Sequence, residues 1–203
     1  GVAQTGVEVV VDGPGGEPGE VRVRGATVMR GYWRNPEATA RTLANGWLHT
    51  GDVGVLDTQG FLTLKDRSKD LIISGGSNIY PREVEEVLLT APGVAEVAVV
   101  GVADPLKGQM PLAFAVVKDA ASAATQELRA ALEKEVMAKV DSLLGAIGRP
   151  KRVYFITQLP KTRSGKVLRR SIQAVAEGRD PGDLTTLDDP VGIQMVKDAV
   201  TGN

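Results

Sequence analysis

Apolar and polar positions along the first seventy residues follow the period of half-buried strands. Val7 to Val11 is a short apolar run, Asp12-Gly13-Pro14-Gly15-Gly16 is rich in turn formers, and Glu20-Val21-Arg22-Val23-Arg24 alternates polar with apolar. Two such runs joined by turn residues predict a hairpin with a longer loop. Asn35-Pro36-Glu37 predicts a short helix to about Leu43, with Pro36 at its first position and Asn45-Gly46 as its stop. Gly54 to Asp57 and Phe61 to Leu64 flank Thr58-Gln59-Gly60 and predict a second hairpin.

The pattern changes at Lys65-Asp66-Arg67-Ser68-Lys69-Asp70, a block of alternating charge that reads as a linker. Beyond it lies apolar Leu71-Ile72-Ile73, then Ser74-Gly75-Gly76-Ser77-Asn78. Pro81 opens a helix through about Thr90, with Val84, Val87 and Leu88 on one face and Arg82, Glu83, Glu85 and Glu86 elsewhere. Val97 to Val102 and Leu112 to Val117 read as buried strands. Leu128, Leu132, Val136, Val140 and Leu144 recur every four residues and predict a long amphipathic helix from about Thr125. Val153 to Ile156 reads as a strand, and Lys166 to about Glu177 as a helix with Leu168, Ile172 and Val175 inward. Residues after Gly178 are rich in Asp, Thr and Pro and read as a surface tail.

Composition narrows the function classes. The 203 residues carry 24 basic and 25 acidic side chains, a net charge of −1, which argues against a nucleic-acid or anionic-membrane binder. With no cysteine there is no disulfide, thiolate nucleophile or cysteine metal site, and a single histidine excludes a multi-histidine zinc site. No metal site is expected. No apolar run approaches the ~20 residues of a membrane span. The start, Gly1-Val2-Ala3-Gln4-Thr5-Gly6, lacks the form of a signal peptide and an initiator methionine, so the expectation is a processed, trimmed or excerpted cytoplasmic chain.

Four segments carry candidate chemistry. Pro160-Lys161-Thr162-Arg163-Ser164-Gly165-Lys166 is a basic, hydroxyl-rich loop before a helix bearing Arg169 and Arg170. Backbone amides at a helix start together with a lysine suit a phosphate or carboxylate; a solvated basic loop would read the same. It is not a P-loop, because only one glycine precedes Lys166. Leu48-His49-Thr50-Gly51-Asp52 offers a carboxylate able to accept two sugar hydroxyls, although a turn between hairpins fits the same residues. His49 lacks metal partners and reads as structural. Gly75-Gly76 permits close approach of a slender ligand or simply a tight turn. Asp66-Arg67-Ser68-Lys69 fits a hinge or an ordinary charged loop.

The order and wording of these segments resemble the adenylate-forming superfamily, which holds acyl-CoA synthetases, luciferase and peptide-synthetase adenylation domains. Gly19 to Gly25, Gly31-Tyr32-Trp33-Arg34-Asn35-Pro36-Glu37-Ala38-Thr39, Trp47 to Asp52, Asp66 to Glu85 and the Lys166 loop carry the match over about residues 7 to 190. The resemblance implies an α+β fold: a small antiparallel β-subdomain (1–68), a hinge, a compact sheet-plus-helices C-terminal domain (70–177) and a tail (178–203). It implies that Asp52 and Arg67 contact ATP, that Lys69 is the hinge, that Lys166 is the adenylation lysine, and that Gly75 and Gly76 line the coenzyme A path. Asp104-Pro105-Leu106-Lys107-Gly108-Gln109 and Glu177 to Thr186 resemble acetyl- and propionyl-CoA synthetases, whereas Asp66 to Glu86 resembles medium-chain or aryl ligases. In the acetyl and propionyl group an acidic residue is usual at the hinge, and an arginine stands where this chain has Asn78.

The superfamily converts a carboxylic acid, ATP and coenzyme A into acyl-CoA, AMP and pyrophosphate with Mg2+. Its phosphate loop, magnesium glutamate and acyl pocket lie outside these residues. The expectation is therefore a C-terminal piece of a short-chain acyl-CoA synthetase, inactive alone and holding no cofactor by itself. Its partners would be the missing N-terminal domain, a small carboxylic acid and coenzyme A. Two other readings stand beside it: an adenylation module loading a carrier protein, and a free-standing regulatory module acylated on Lys166 by a lysine acyltransferase.

Overall fold

The computed structural model describes residues 1–202. It divides into two compact units, Gly1–Lys69 and Asp70 onward. Both join sheet to helix, in agreement with the α+β expectation; the first sheet is antiparallel and the second holds one parallel pair.

The first unit is one five-stranded sheet with a short helix. Strands β1 (Val7–Asp12) and β2 (Gly19–Gly25) form the expected hairpin, with Val9 opposite Val23. Helix α1 (Pro36–Thr42) begins where Asn35 caps it by accepting a hydrogen bond from the Ala38 amide. Asn45-Gly46 does more than stop this helix. It is the two-residue turn between β3 (Leu43–Ala44) and β4 (Trp47–Leu56), with both residues at positive φ, a hairpin the sequence reading missed. Strand β5 (Leu62–Arg67) returns from the Asp57–Gly60 turn and pairs with β4 on the edge away from β2.

The second unit has three layers. Gly75 and Gly76, at φ +57° and +82°, turn β6 (Ile72–Ser74) into β7 (Ser77–Ile79). Helix α2 (Pro81–Leu89) follows, and then the long pair β8 (Val94–Asp104) and β9 (Gly108–Val117). Helix α3 (Gln126–Gly148) is capped by Thr125 and broken by Gly145; strand β10 (Val153–Ile156) then pairs parallel with β9. Helices α4 (Arg169–Ala176) and α5 (Val191–Thr201) complete the unit.

Both faces of this sheet are covered. Val97, Val99, Ala113 and Ala115 meet α2 and α3 through Val84, Leu88, Val136 and Val140. Ala98, Val100, Leu112 and Phe114 meet α4 and α5 through Ile172 and Val196. Two-sided burial is why these strands are continuously apolar instead of alternating.

Four expectations are revised. The stretch after Gly178 is more than a surface tail, because it contains α5, whose Val196 is fully buried. The last amphipathic run becomes helical at Arg169 rather than Lys166. The amino-terminal part of α3 lies outside the core, with Leu128 exposed. Glu85, assigned to the polar face of α2, is buried. Among the described residues no helix is long and apolar enough to cross a membrane.

Candidate functional site

In the first unit, His49-Thr50-Gly51-Asp52 lies inside β4 and is not a turn between hairpins. One residue of β2, Val21, faces three of β4, because Glu20 pairs with Val53 and Arg22 with His49. The extra residues form a bulge centred on Gly51, whose φ of +71° disfavours other side chains. The Thr50 hydroxyl fastens the bulge: it donates to the Val21 carbonyl at 2.6 Å and accepts from the Asp52 amide at 3.0 Å. Ser68 closes the other side, its amide and hydroxyl both donating to the Gly51 carbonyl at 2.9 and 3.1 Å.

This lattice sets the Asp52 carboxylate opposite Arg67 on β5, with Nε 2.9 Å from Oδ1. A carboxylate held by one guanidinium keeps acceptor capacity for hydroxyl donors. His49 does structural work, as expected, with Nδ1 2.7 Å from Glu20 Oε2. Lys69 is exposed at the end of this unit.

In the second unit, Lys166 sits three residues before α4. The helix-start anion site read from the sequence is therefore revised. The Gly165 and Lys166 amides donate to the Thr162 carbonyl and hydroxyl at 2.8 and 3.1 Å, and the Leu168 amide donates to the Pro160 carbonyl at 3.0 Å. What remains to offer is the side chain. The Lys166 ammonium is exposed and has no ion-pair or hydrogen-bond partner among the described residues of this unit.

The loop around Lys166 is braced from several sides. Thr162 and Leu187 bridge as a minimal antiparallel pair. The Arg163 amide donates to the Thr186 carbonyl at 3.2 Å, and the Asp188 amide to the Lys161 carbonyl at 2.9 Å. Lys161 pairs with Glu96 at the start of β8 at 2.5 Å. Residues 186–188 thus act as a strap across the loop, a role that composition could not reveal.

Gly75 and Gly76 lie toward the other end of the same strand pair. The Gly75 amide donates to the Lys107 carbonyl at 2.9 Å, and Ser74 pairs with Gly108. Two segments singled out separately in the sequence, Gly75-Gly76 and Asp104 to Gln109, therefore meet at the β8–β9 turn. A Cβ at either glycine would meet nothing within 4 Å, so conformation alone demands glycine here. From Glu96, beside Lys161, to Asp104 is eight residues of strand, about 26 Å at ~3.3 Å per residue.

Among the described residues no three His, Asp or Glu side chains gather as a metal cluster, so no ligand for Mg2+ is assigned to this chain.

The AMP-binding enzyme C-terminal domain model matches residues 83–166. The chain is 50% identical over 151 residues to the propionate–CoA ligase of Escherichia coli strain K12, which covers 74% of this chain and 24% of that protein. It is 42% identical over 198 residues to the propionate–CoA ligase of Salmonella typhimurium, covering 91% of this chain and 32% of that protein. It superposes with a TM-score of 0.71 on the o-succinylbenzoate CoA synthetase of Bacillus subtilis in complex with its acyl-adenylate intermediate. That match has 38% identity over 81% of this chain and 33% of the other. The chain thus spans about a quarter to a third of the length of the curated relatives it matches. The second unit thus matches the C-terminal domain of the AMP-binding enzymes, and the relatives that align with 74% and 91% of the chain are named CoA ligases.

Proposed function

We propose that this chain is the C-terminal part of an AMP-forming ligase that joins a short-chain carboxylic acid, with propionate the first candidate, to coenzyme A. The substrate carboxylate attacks the α-phosphorus of ATP and pyrophosphate leaves. The thiol of coenzyme A then attacks the acyl-adenylate carbonyl and AMP leaves. The similarity to two propionate–CoA ligases supports the choice of acid.

Each site residue has a role in this reading. Asp52, held beside Arg67, accepts the ribose hydroxyls of the nucleotide. The Lys166 ammonium neutralises charge shared between the carboxylate and phosphate oxygens as they approach. Such preorganised electrostatic help is worth ~10²–10³ in rate. Gly75 and Gly76 admit the thiol-bearing arm.

The observation that carries the reading is the separation of Lys166 from Gly75-Gly76 along one strand pair. The Lys166 loop is tied through Lys161 to the Glu96 end of β8 and Gly75-Gly76 sits at the Asp104 end, positions about 26 Å apart along the strand; in this reading the two serve the reaction centre at different steps. One unit therefore presents them in turn, pivoting at Lys69, where the first unit ends and the second begins. In this proposal a preceding domain supplies the acyl pocket, the phosphate loop and the Mg2+ ligands, and residues 1–203 alone do not adenylate.

ATP–pyrophosphate exchange tests it, with acetate, propionate, butyrate, octanoate and benzoate. The folded chain alone should give none. The chain joined to its preceding domain should exchange best with propionate and lose exchange in Lys166→Ala. Exchange by the isolated chain, or exchange indifferent to Lys166, overturns the reading.

A further inference from the structure

The Glu85 carboxylate, in the middle of α2, is buried and is held from both β8 and α4. Oε1 accepts from the Val99 amide of β8 at 2.8 Å and from Arg169 Nε at 3.2 Å; Oε2 accepts from Arg169 Nη2 at 2.5 Å. Arg169 is the first residue of α4 and stands three positions after Lys166. At its other end α4 is tied to the same strand, because the Ala103 amide donates to Glu177 Oε1 at 2.9 Å. The spans match. Val99 to Ala103 is about 13 Å of strand, and Arg169 to Glu177 is about 12 Å of helix. Helix α4 is thus strung along β8 between two glutamates.

We propose that Glu85 and Arg169 are positioning residues for Lys166, fixing where α4 begins and hence where the loop delivers its ammonium. The inference rests on the reading of Lys166 as the adenylation lysine. A forked guanidinium on a buried carboxylate sets direction as well as distance, which an ammonium cannot do. The strap at residues 186–188 holds the far side of the loop, so this pair fixes the near side. Misplacing a reacting group by ~1 Å costs on the order of 10² in rate. The thiol-side turn at Gly75-Gly76 is anchored independently, through Lys107 and Gly108.

The test uses Arg169→Lys and Glu85→Gln. In the isolated chain, hydrogen exchange at the Gly165 and Lys166 amides should speed up at least tenfold, while the Gly75 amide is unchanged. In the ligase joined to its preceding domain, adenylation should fall ten- to a hundredfold. Thioester formation from supplied acyl-adenylate should stay within twofold. Unchanged exchange at Gly165 and Lys166 overturns the proposal. So does an equal loss of both half-reactions with a lowered melting temperature, which would mark a purely structural pair. If Lys166→Ala leaves adenylation intact, the catalytic reading fails instead, and the exchange data still decide whether the pair sets the loop.

Discussion

Asp52 and Arg67 face each other across β4 and β5, their side chains 2.9 Å apart; Asp52 directly follows the bulge residue Gly51, and Arg67 directly precedes Ser68, which closes the bulge. Arg67 is largely exposed, so the pair adds little to stability. Its value lies in holding the carboxylate still. Asp52→Asn should leave the melting temperature within a degree or two. It should raise the apparent KM for ATP at least tenfold in the assembled ligase, measured by pyrophosphate exchange. An unchanged KM would remove Asp52 from the nucleotide site.

Gly76→Ala separates the two half-reactions from the other side. Its φ of +82° makes any L side chain costly by about 1–2 kcal/mol, although a methyl group has open space. Thioester formation from acyl-adenylate should slow at least tenfold, with adenylation near wild type. Rapid-quench measurement of each step checks this.

Val196 tests whether the stretch after Gly178 belongs to the folded unit. The side chain is fully buried against the Phe114 face of the sheet. Val196→Ala should destabilise the second unit by about 2 kcal/mol, whereas Val191→Ala, at an exposed position of the same helix, should be neutral. Urea titration of the chain measures both.

The β8–β9 turn should respond to acid. Backbone donation from Lys107 and Leu106, aided by the nearby Lys151 charge, holds the Asp104 carboxyl below the ordinary aspartate range. A depressed folded-state value means that the contribution is complete above the ordinary aspartate pKa and is lost as pH falls through the depressed one. Acidification across that window should loosen the Lys107 and Gly75 amides, read by NMR. Asp104→Asn should weaken the response.

Much of this architecture was legible in sequence. Alternation at Glu20 to Arg24 gave β2, Asn35-Pro36 gave the start of α1, and the apolar runs gave β8, β9 and β10. What was hidden depended on long-range pairing. Glu85 shares helical spacing with buried Pro81, Val84 and Leu88, but a carboxylate there reads as polar until its partners are seen, the Val99 amide and Arg169, 14 and 84 positions away. Helix α5 follows a stretch of turn formers, yet Val196, Ala199 and Val200 carried helical spacing. Asn45-Gly46 was a hairpin signal read as a stop. In the Lys166 loop the residue types were visible, but the strap was not, because backbone pairing leaves little trace in composition.

That strap also orders events in time. The loop around Lys166 closes against residues 186–188, some twenty positions further along the chain. During synthesis the lysine therefore leaves the ribosome well before the backbone that fixes it. The β8–β9 hairpin, already complete, can form first. Lys166 is among the last features of this unit to acquire its final setting. A nascent chain stalled between Lys166 and Thr186 would carry the lysine and still lack the backbone that sets its loop.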